Sequence, residues 1–333
     1  MSNTINLAEI YLPYLDEIYK ADAKTAILEG SETDATIRLD DHGKAYVAKI
    51  NMDGLGDFSR SSGYTHGDVS LTWEPIAWDK ERSQDLRVDR LDNTESLDIV
   101  AARLMGEFMR TKVIPETDAA RIAKIASWSG IGSATEALTT GAAVIAALRS
   151  ATNTMDEAEV EMENRILFIT PTYRGLIQDL DTIKSKEVLT RFSDIIEVPQ
   201  TRMYSRITLN DGTTNYGYKV ADAEYAKTTD TALVTGKTYY TKSGDTYTAV
   251  ASPDVADIAT YYEMTAPAGV PLNFMVIQKR AAAAKIAQYM KYFTPDQDQN
   301  GDSHVFKYRN NNLYAHVFDN KVAGVYVSKT AQA

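Results

Sequence analysis

Residues 231–238 read TALVTGKT, and the last three letters end a common phosphate-binding loop. Such a loop wraps phosphate oxygens with backbone N–H groups, has an earlier glycine that stands here as Thr231, and opens a helix. The following residues, TYYTKSGDTYTAV (238–250), instead alternate β-forming side chains around a Ser-Gly-Asp turn. This alternation predicts a β-hairpin. We therefore interpret Gly236 as the start of a strand and Lys237 as a solubilising charge.

A second motif, DQDQNGD, begins at Asp296 and resembles the first half of a calcium-binding loop. Position twelve of that loop requires a glutamate that binds the ion with both oxygens, and here it is Lys307. Because the residue that closes the calcium cage is absent, we interpret the motif as a polar turn.

Side chains capable of acid–base or nucleophilic chemistry do not occur at the spacings of a known catalytic motif. The chain has no cysteine, and no serine lies in a nucleophile-elbow motif. SGIGSAT (129–135) lacks the third glycine and the preceding strand of a dinucleotide site, so it predicts a loop between domains. We expect neither an enzyme nor a cofactor or metal site. The histidines that show no ligand spacing are His42, His66, His304 and His316.

Composition excludes several classes of protein. No stretch approaches the ~18 apolar residues of a membrane-spanning helix, and the first residues lack the basic leader and apolar run of a secretory signal. A net charge of −11 argues against a surface that grips nucleic acid. The absence of cysteine fits assembly in a reducing cytoplasm. The 20 tyrosines suit half-exposed surfaces and interfaces.

The first third of the sequence predicts extensions that lack a core of their own. Residues 1–33 form an extended or partly helical arm, which Pro13 interrupts. Residues 35–50 predict a β-hairpin, a glycine-rich loop follows, and 68–79 predict a further strand. The apolar positions of the arm are Leu7, Ile10, Tyr11 and Tyr14.

The segment DKERSQDLRVDRLDN (79–93) carries four basic and five acidic side chains. It forms either a solvated face, where exposed ion pairs contribute little, or an interface in which the charges of neighbouring chains interleave. The candidate contacts between subunits are Arg82, Asp85, Arg87, Asp89 and Arg90.

From residue 93 the apolar period becomes helical. We expect a long helix whose core-facing residues are Leu97, Val100, Leu104 and Phe108. Pro115 stops or kinks it, and a second helical segment starts at Glu116. Further helices are predicted at 139–163, 176–183 and 279–293, and strands at 166–171, 195–198, 272–278, 304–319 and 321–329.

Residues 220–266 differ from their surroundings in being rich in Thr, Tyr, Ala and Asp. We interpret them as a small β module inserted into a loop, with some tyrosines exposed for contact. Its small core is predicted to consist of Tyr239, Tyr240, Tyr247, Tyr261 and Tyr262.

The order of these parts resembles the major capsid proteins of tailed phages with the Hong Kong 97-type fold. WDKERSQDLRVDRLDNTESL (78–97) is similar to the segment that joins the extended loop to the spine helix of that family. The likeness covers nearly the whole chain except 220–266. The other stretches that carry it are FMRTKVIPETDAARIAKIAS (108–127), RILFITPTYRGLI (165–177), IIEVPQTRMY (195–204) and the C-terminal residues 273–329.

The resemblance implies an α+β, Hong Kong 97-type phage capsid fold with a small β insertion. It divides the chain into an N-terminal arm, an extended β loop (E-loop), a peripheral (P) domain with the spine helix, and an axial (A) domain. In that order the parts are 1–33, 34–79, 80–135 with 295–322, and 136–294 with 323–333, and the insertion within the A domain is 220–266.

The resemblance also implies a function and partners. The chain would self-assemble into pentamers and hexamers of an icosahedral head shell that encloses double-stranded DNA without sequence-specific binding or a membrane. Assembly would take place in the host bacterial cytoplasm, with a portal and, where present, decoration proteins. Because the arm begins almost at Met1, we expect a separate scaffolding protein. The Lys–Asn cross-link of the founding member cannot be carried over, because nothing pairs Lys44 or Lys49 with Asn310–Asn312.

Two other functions stay open at this point. The chain could be a host-surface or tail binding protein that uses 220–266 as its binding module. It could also be the shell protein of a cellular nanocompartment with the same fold.

Overall fold

The computed structural model describes residues 23–29, 37–39, 45–58, 60–61, 63–90, 99–180, 183–251, 253–297 and 301–331. The apolar residues predicted in the arm, the turn at 40–44 and Leu97 lie outside these ranges. The α-helices are α1 Ile99–Phe108, α2 Ile114–Ala126, α3 Gly141–Glu157, α4 Pro171–Leu180 and α5 Ile183–Leu189. Short 3₁₀ turns occupy Ala26–Leu28, Gln200–Arg202, Val255–Thr260, Pro295–Gln297 and Asp319–Gly324.

The strands form separate sheets, and they are numbered in chain order. The first nine strands are β1 Ile37–Leu39, β2 Ala45–Met52, β3 Val69–Ile76, β4 Lys80–Asp89, β5 Gly132–Glu136, β6 Arg165–Ile169, β7 Asp194–Glu197, β8 Ile207–Leu209 and β9 Tyr218–Val220. The others are β10 Glu224–Lys227, β11 Tyr240–Ser243, β12 Thr246–Ala249, β13 Tyr262–Ala266, β14 Leu272–Gln278, β15 Ala282–Phe293, β16 Ser303–Val317 and β17 Val325–Thr330.

The main core surrounds a five-stranded sheet of order β5-β17-β14-β6-β7, called here the central sheet. Every residue of β6 and β14 is buried, as their uninterrupted apolar runs predict. Helix α3 covers one face, and its N-terminus is capped by the Thr140 hydroxyl, which accepts from the Ala143 N–H at 3.3 Å. The predicted loop at 129–135 is partly wrong, because Gly132–Glu136 pairs in parallel with β17.

A second sheet, called here the long-strand sheet, has the order β15-β16-β4. The predicted helix at 279–293 is wrong, because Ala282–Phe293 is the strand β15. Ile286 and Met290 fit a helical period as well as an alternating one, and the alanine run favours a helix locally. Antiparallel pairing along the whole length of β16 overrides that local preference. The predicted domain boundary at 294/295 therefore separates two strands that pair with each other.

The spine helix runs from α1 to α2 through one π-helical turn, Met109–Val113. Pro115 has no N–H to donate to the carbonyl four residues earlier, and its ring crowds that carbonyl, so the wider π turn relieves the clash. Met105 and Met109 are buried against the long-strand sheet, whereas the predicted core residues Leu104 and Phe108 are half-buried at its border.

Candidate functional site

The extended loop folds as a three-stranded antiparallel sheet of β1, β2 and β3, called here the loop sheet. Cross-strand partners lie on the same face of a sheet, and the register pairs Ile50 with Leu71 and Met52 with Val69. These four side chains are between 56% and 69% exposed. One face of the loop sheet is therefore apolar and open to solvent, which is unusual for a soluble protein.

The opposite face of the loop sheet is polar. Its cross-strand pairs are Lys49 with Thr72 and Asn51 with Ser70. The Lys49 ammonium reaches back to Asp319, at 3.2 Å, in the body of the subunit. The sheet thus has the alternation of a half-buried sheet, with nothing in the described part of this chain covering its apolar side.

The tip of the loop adds to the apolar surface. Leu55 is fully exposed, and Phe58 and Tyr64 are 60% and 84% exposed. The two aromatic rings contact each other edge to face, with centroids 5.2 Å apart. Such a ring pair presents a large rigid area at little cost in side-chain entropy, which suits contact with another molecule.

Most of the charged segment forms β4, the edge strand of the long-strand sheet. Because side chains alternate along a strand, some of the predicted contact residues face solvent and one faces inward. Asp85, Arg87 and Asp89 lie on the exposed side of the strand, and Asp85 pairs with Arg87 at 3.1 Å. Arg90 lies 3.6 Å and 3.5 Å from the carboxylates of Asp296 and Asp302.

Arg82 points inward, which distinguishes it from the other predicted contacts. Its guanidinium binds Glu116 of the spine helix with two hydrogen bonds of 2.8 and 3.0 Å and donates a third to the Asn210 carbonyl. Arg82 therefore joins elements of its own subunit and is a poor probe of contacts between subunits.

A buried polar network at the base of the arm could not be predicted from the sequence. Asp118 is fully buried and accepts hydrogen bonds from the backbone N–H groups of Lys24 and Thr25, both at 3.1 Å. Arg121, also fully buried, donates to Thr25 and to the carboxylate of Glu29. A buried charge is tolerated only when it is paired in this way. The pairing joins residues more than 90 positions apart, which no local pattern reveals.

The inserted module is a four-stranded sheet of order β10-β13-β11-β12, called here the insertion sheet. The hairpin predicted around Ser243-Gly244-Asp245 is β11 and β12, and Gly244 takes the positive φ, 60°, that its tight turn requires. Since Gly236 precedes a strand and no helix, a phosphate-binding loop is excluded there.

The insertion sheet carries tyrosines on both faces. On one face, Tyr225 and Tyr247 from the two edge strands stack at 4.1 Å and fold over Tyr240 and Tyr262 in the middle. On the other side Tyr239 and Tyr261 are 1% and 5% exposed, and their ring centroids are 5.8 Å apart. The five tyrosines predicted as one core thus form two groups. Tyr239 and Tyr261 are buried, whereas the other three are half-buried and pack with Tyr225.

Lys237 has a structural role that differs from the predicted solubilising charge. Its ammonium lies 2.7 Å from the carboxylates of both Asp230 and Glu263, and the Tyr239 hydroxyl donates to Asp230 at 2.8 Å. Hydrogen bonds from Lys237 and then Tyr239 lower the pKa of Asp230, and the bonds to Asp230 and Glu263 raise the pKa of Lys237. Lys237, in the motif that resembles a phosphate-binding loop, therefore links Asp230 to Glu263 of strand β13 within the module.

The remaining sequence motifs do not assemble into a chemical site. Among the described residues, no group of three or more His, Cys, Asp or Glu side chains could hold a metal ion. The residues that open the motif resembling a calcium loop are only partly described, and Lys307 lies in strand β16. No helix in the described ranges is long and apolar enough to cross a membrane.

The chain resembles known proteins in its fold rather than in its sequence. No protein-family model and no curated protein sequence matches the chain. Among solved structures, the chain is similar to the mature capsid of bacteriophage PhiM1, with a TM-score of 0.51 and 12% sequence identity. The match covers 89% of this chain and 84% of that chain. This chain has a phage capsid fold. The fold expected from the order of the sequence elements is confirmed.

Two other solved structures are similar with lower scores. The capsid of cyanophage P-SCSP1u has a TM-score of 0.47 at 14% identity, covering 87% of this chain and 84% of that chain. A virus-like particle from Pyrococcus furiosus has a TM-score of 0.41 at 12% identity, covering 84% and 85%.

Proposed function

We propose that this chain is the major capsid protein of a tailed phage, which self-assembles into pentamers and hexamers of an icosahedral shell around double-stranded DNA. The observation that carries the proposal is the loop sheet, whose apolar face has no partner in the described part of its own chain. The phage capsid fold supports the same function. Assembly would take place in the host bacterial cytoplasm, with a scaffolding protein and a portal as partners.

The physical argument rests on the free energy of burying that face. Fully burying one large aliphatic side chain contributes about 1.5–3 kcal/mol, and the apolar face holds several within one patch. In a monomer this surface would remain in water. In a closed shell each loop sheet covers a neighbouring subunit, and the same contact repeats at every position. The net charge of −11 lets the shell hold DNA without binding it tightly.

The exposed residues of β4 are the second surface that we assign to contacts between subunits. Asp85, Arg87 and Asp89 of this edge strand, with Arg90 directly after it, present both signs of charge. Such a pattern sets the register of two chains more than their affinity. The double exchange Asp85→Arg with Arg87→Asp keeps the ion pair between the two positions. It changes only the order of the charges that a neighbouring subunit would contact. If the exchanged protein assembles as well as the parent at low and moderate salt, this assignment is wrong.

The assembly proposal is tested by expressing the full chain alone and with its scaffolding protein. Analytical ultracentrifugation should detect capsomers or shells, and electron microscopy should show closed particles of uniform size. A protein that remains monomeric under all assembly conditions would contradict the proposal.

Particle contents separate the proposal from its alternatives. DNA-filled heads support a phage capsid, and particles filled with an enzyme would indicate a nanocompartment shell. A host-surface or tail binding protein would form no closed particle and would bind through 220–266. The packing of the module's tyrosines against one another leaves less aromatic surface for such binding.

A further inference from the structure

A cleft of 530 Å³ lies between the spine helix, strands β4 and β16, and the loop that leads into β9. Its walls are mainly apolar and include Phe108, Val113 and Pro115. Lys112 lies at the rim of the cleft and is exposed. An apolar cleft of this size matches the side chains of a short peptide segment.

The cleft has a polar group that none of the described residues satisfies. Asn310 is only 3% exposed, and its amide nitrogen donates to the Tyr308 hydroxyl at 3.0 Å. Its Oδ1 accepts no hydrogen bond within the described part of the chain. Arg82 does not reach it, because that guanidinium is occupied by Glu116 and Asn210. A buried carbonyl oxygen is costly to leave unpaired, so the cleft suits a partner that brings an O–H or N–H donor.

The described base of the N-terminal arm lies beside this cleft. The backbone N–H groups of Lys24 and Thr25 donate to Asp118, which directly follows the cleft residues Glu116 and Thr117. Ala23 packs against the cluster that contains Tyr308.

The loop on the other wall of the cleft is anchored at the same place. Arg202 donates to Asp118 at 3.0 Å, and the Tyr218 hydroxyl donates to the Thr201 carbonyl at 3.0 Å. The arm base and both walls of the cleft are therefore held around one buried carboxylate, Asp118.

We propose that the apolar segment 7–14 of the chain's own N-terminal arm binds in this cleft. Leu7 and Ile10 supply apolar side chains for the walls, and Tyr11 and Tyr14 supply hydroxyl donors for Asn310. The acidic pair at 16–17 follows the segment and complements Lys112. The residues between 14 and 23 extend over up to about 28 Å, enough to reach a cleft beside the arm base.

The natural chain has no cysteine, so engineered thiols report single positions. We would combine Glu9→Cys in the arm with Thr111→Cys at the cleft and treat the unassembled full chain with a short bismaleimide. The matched control combines Glu9→Cys with Arg149→Cys, which is exposed on α3 away from the cleft. Docking raises the effective concentration of the arm thiol, so the intramolecular product should form at least about tenfold faster than in the control.

Each outcome of this experiment decides the proposal. Equal rates for the two pairs would overturn it. A cross-linked dimer, separated on a denaturing gel, would also overturn it, because the occupant would then be the arm of a second copy. A fast intramolecular product supports it, and this result does not depend on shell assembly.

A second measurement tests the chemistry of docking. Ile10→Asp should slow the Glu9–Thr111 cross-link to the rate of the control, and Tyr11→Phe with Tyr14→Phe should slow it partly, because the hydroxyl donors are lost. Circular dichroism checks that the subunit remains folded. If both variants cross-link as fast as the parent pair, the apolar segment does not occupy the cleft.

Discussion

The loop sheet and the insertion sheet are both small antiparallel sheets. They differ in whether the apolar side chains on their faces are covered by the rest of the described chain. The loop sheet leaves Ile50, Met52, Val69 and Leu71 more than half exposed. The insertion sheet folds its edge tyrosines over its own middle and buries Tyr239 almost completely. A small sheet is stable when something covers its apolar face. The insertion sheet covers its own apolar face, whereas the proposed function assigns the cover of the loop sheet to a neighbouring chain.

The largest expected effect comes from a charge on the apolar face of the loop sheet. Leu71→Asp should abolish particles and leave the free energy of unfolding of the isolated subunit nearly unchanged, because that residue meets water until subunits associate. Burying its carboxylate without a partner costs several kcal/mol at every contact. Particle yield by sedimentation checks this.

The matched control is Ser70→Asp, on the polar face of the same strand. It should assemble normally. If Leu71→Asp also assembles normally, the loop sheet does not cover a neighbour and the comparison between the two sheets fails.

The second effect is confined to the insertion. Tyr239→Ala should lower the free energy of unfolding of the module by about 3–5 kcal/mol, because a large buried side chain is lost and Asp230 loses a hydrogen-bond donor. Particle yield should not change. Hydrogen exchange and limited proteolysis within 222–266 would measure the loss. Val234→Ala, at a side chain 51% exposed, is the control, and equal effects of the two variants would contradict a core at Tyr239.

A smaller effect is expected from Lys237→Ala, and it depends on pH. The folded-state pKa of Asp230 lies below its ordinary value, so its contribution is present at neutral pH and is lost as the pH falls through that pKa. The pKa of Lys237 is raised, so its contribution is lost only as the pH rises through the raised value.

Denaturation of the module at several pH values would test this role of Lys237. Lys237→Ala should weaken both the alkaline and the acid dependence, because the raised pKa of the buried Tyr239 retains part of the alkaline one. Particle yield and any nucleotide signal should stay as in the parent. An identical pH profile for Lys237→Ala and the parent would contradict the contribution of the ion pairs.

The smallest effect is expected from removing the module. Replacing 222–266 by a short Gly-Ser linker should leave assembly intact, because closing a loop between neighbouring ends costs little. The ends are adjacent, since the Gly269 N–H donates to the Ala221 carbonyl at 2.8 Å. Electron microscopy of the particles checks the result. Loss of all particles with the subunit still folded would mean that the insertion sheet is part of the lattice.

The sequence predicted the hairpins and the buried strands well. The strands around 35–50 and 240–249 alternate over a few residues and are separated by turn residues, so the information is local. Prediction failed at β15, because the apolar spacing fits a helix and a strand equally and the alanine run favours a helix. Only pairing with the distant β16 decides for the strand. It was incomplete in the spine helix, because contact with the long-strand sheet buries Met105 and Met109 more deeply than Leu104 and Phe108.

The sequence by itself determined that the extended loop has β-strands without a core of its own and that the tyrosines of 220–266 pack together in a small sheet. These properties depend on composition and on periods of two or 3.6 residues, which are local. Only the tertiary structure decided that Arg82 faces inward, that Lys237 ties the module together, and that Asp118 holds the base of the arm. Each of these depends on contacts that no local period of the sequence reveals, and a charged side chain acquires its role from the partner that the fold brings to it.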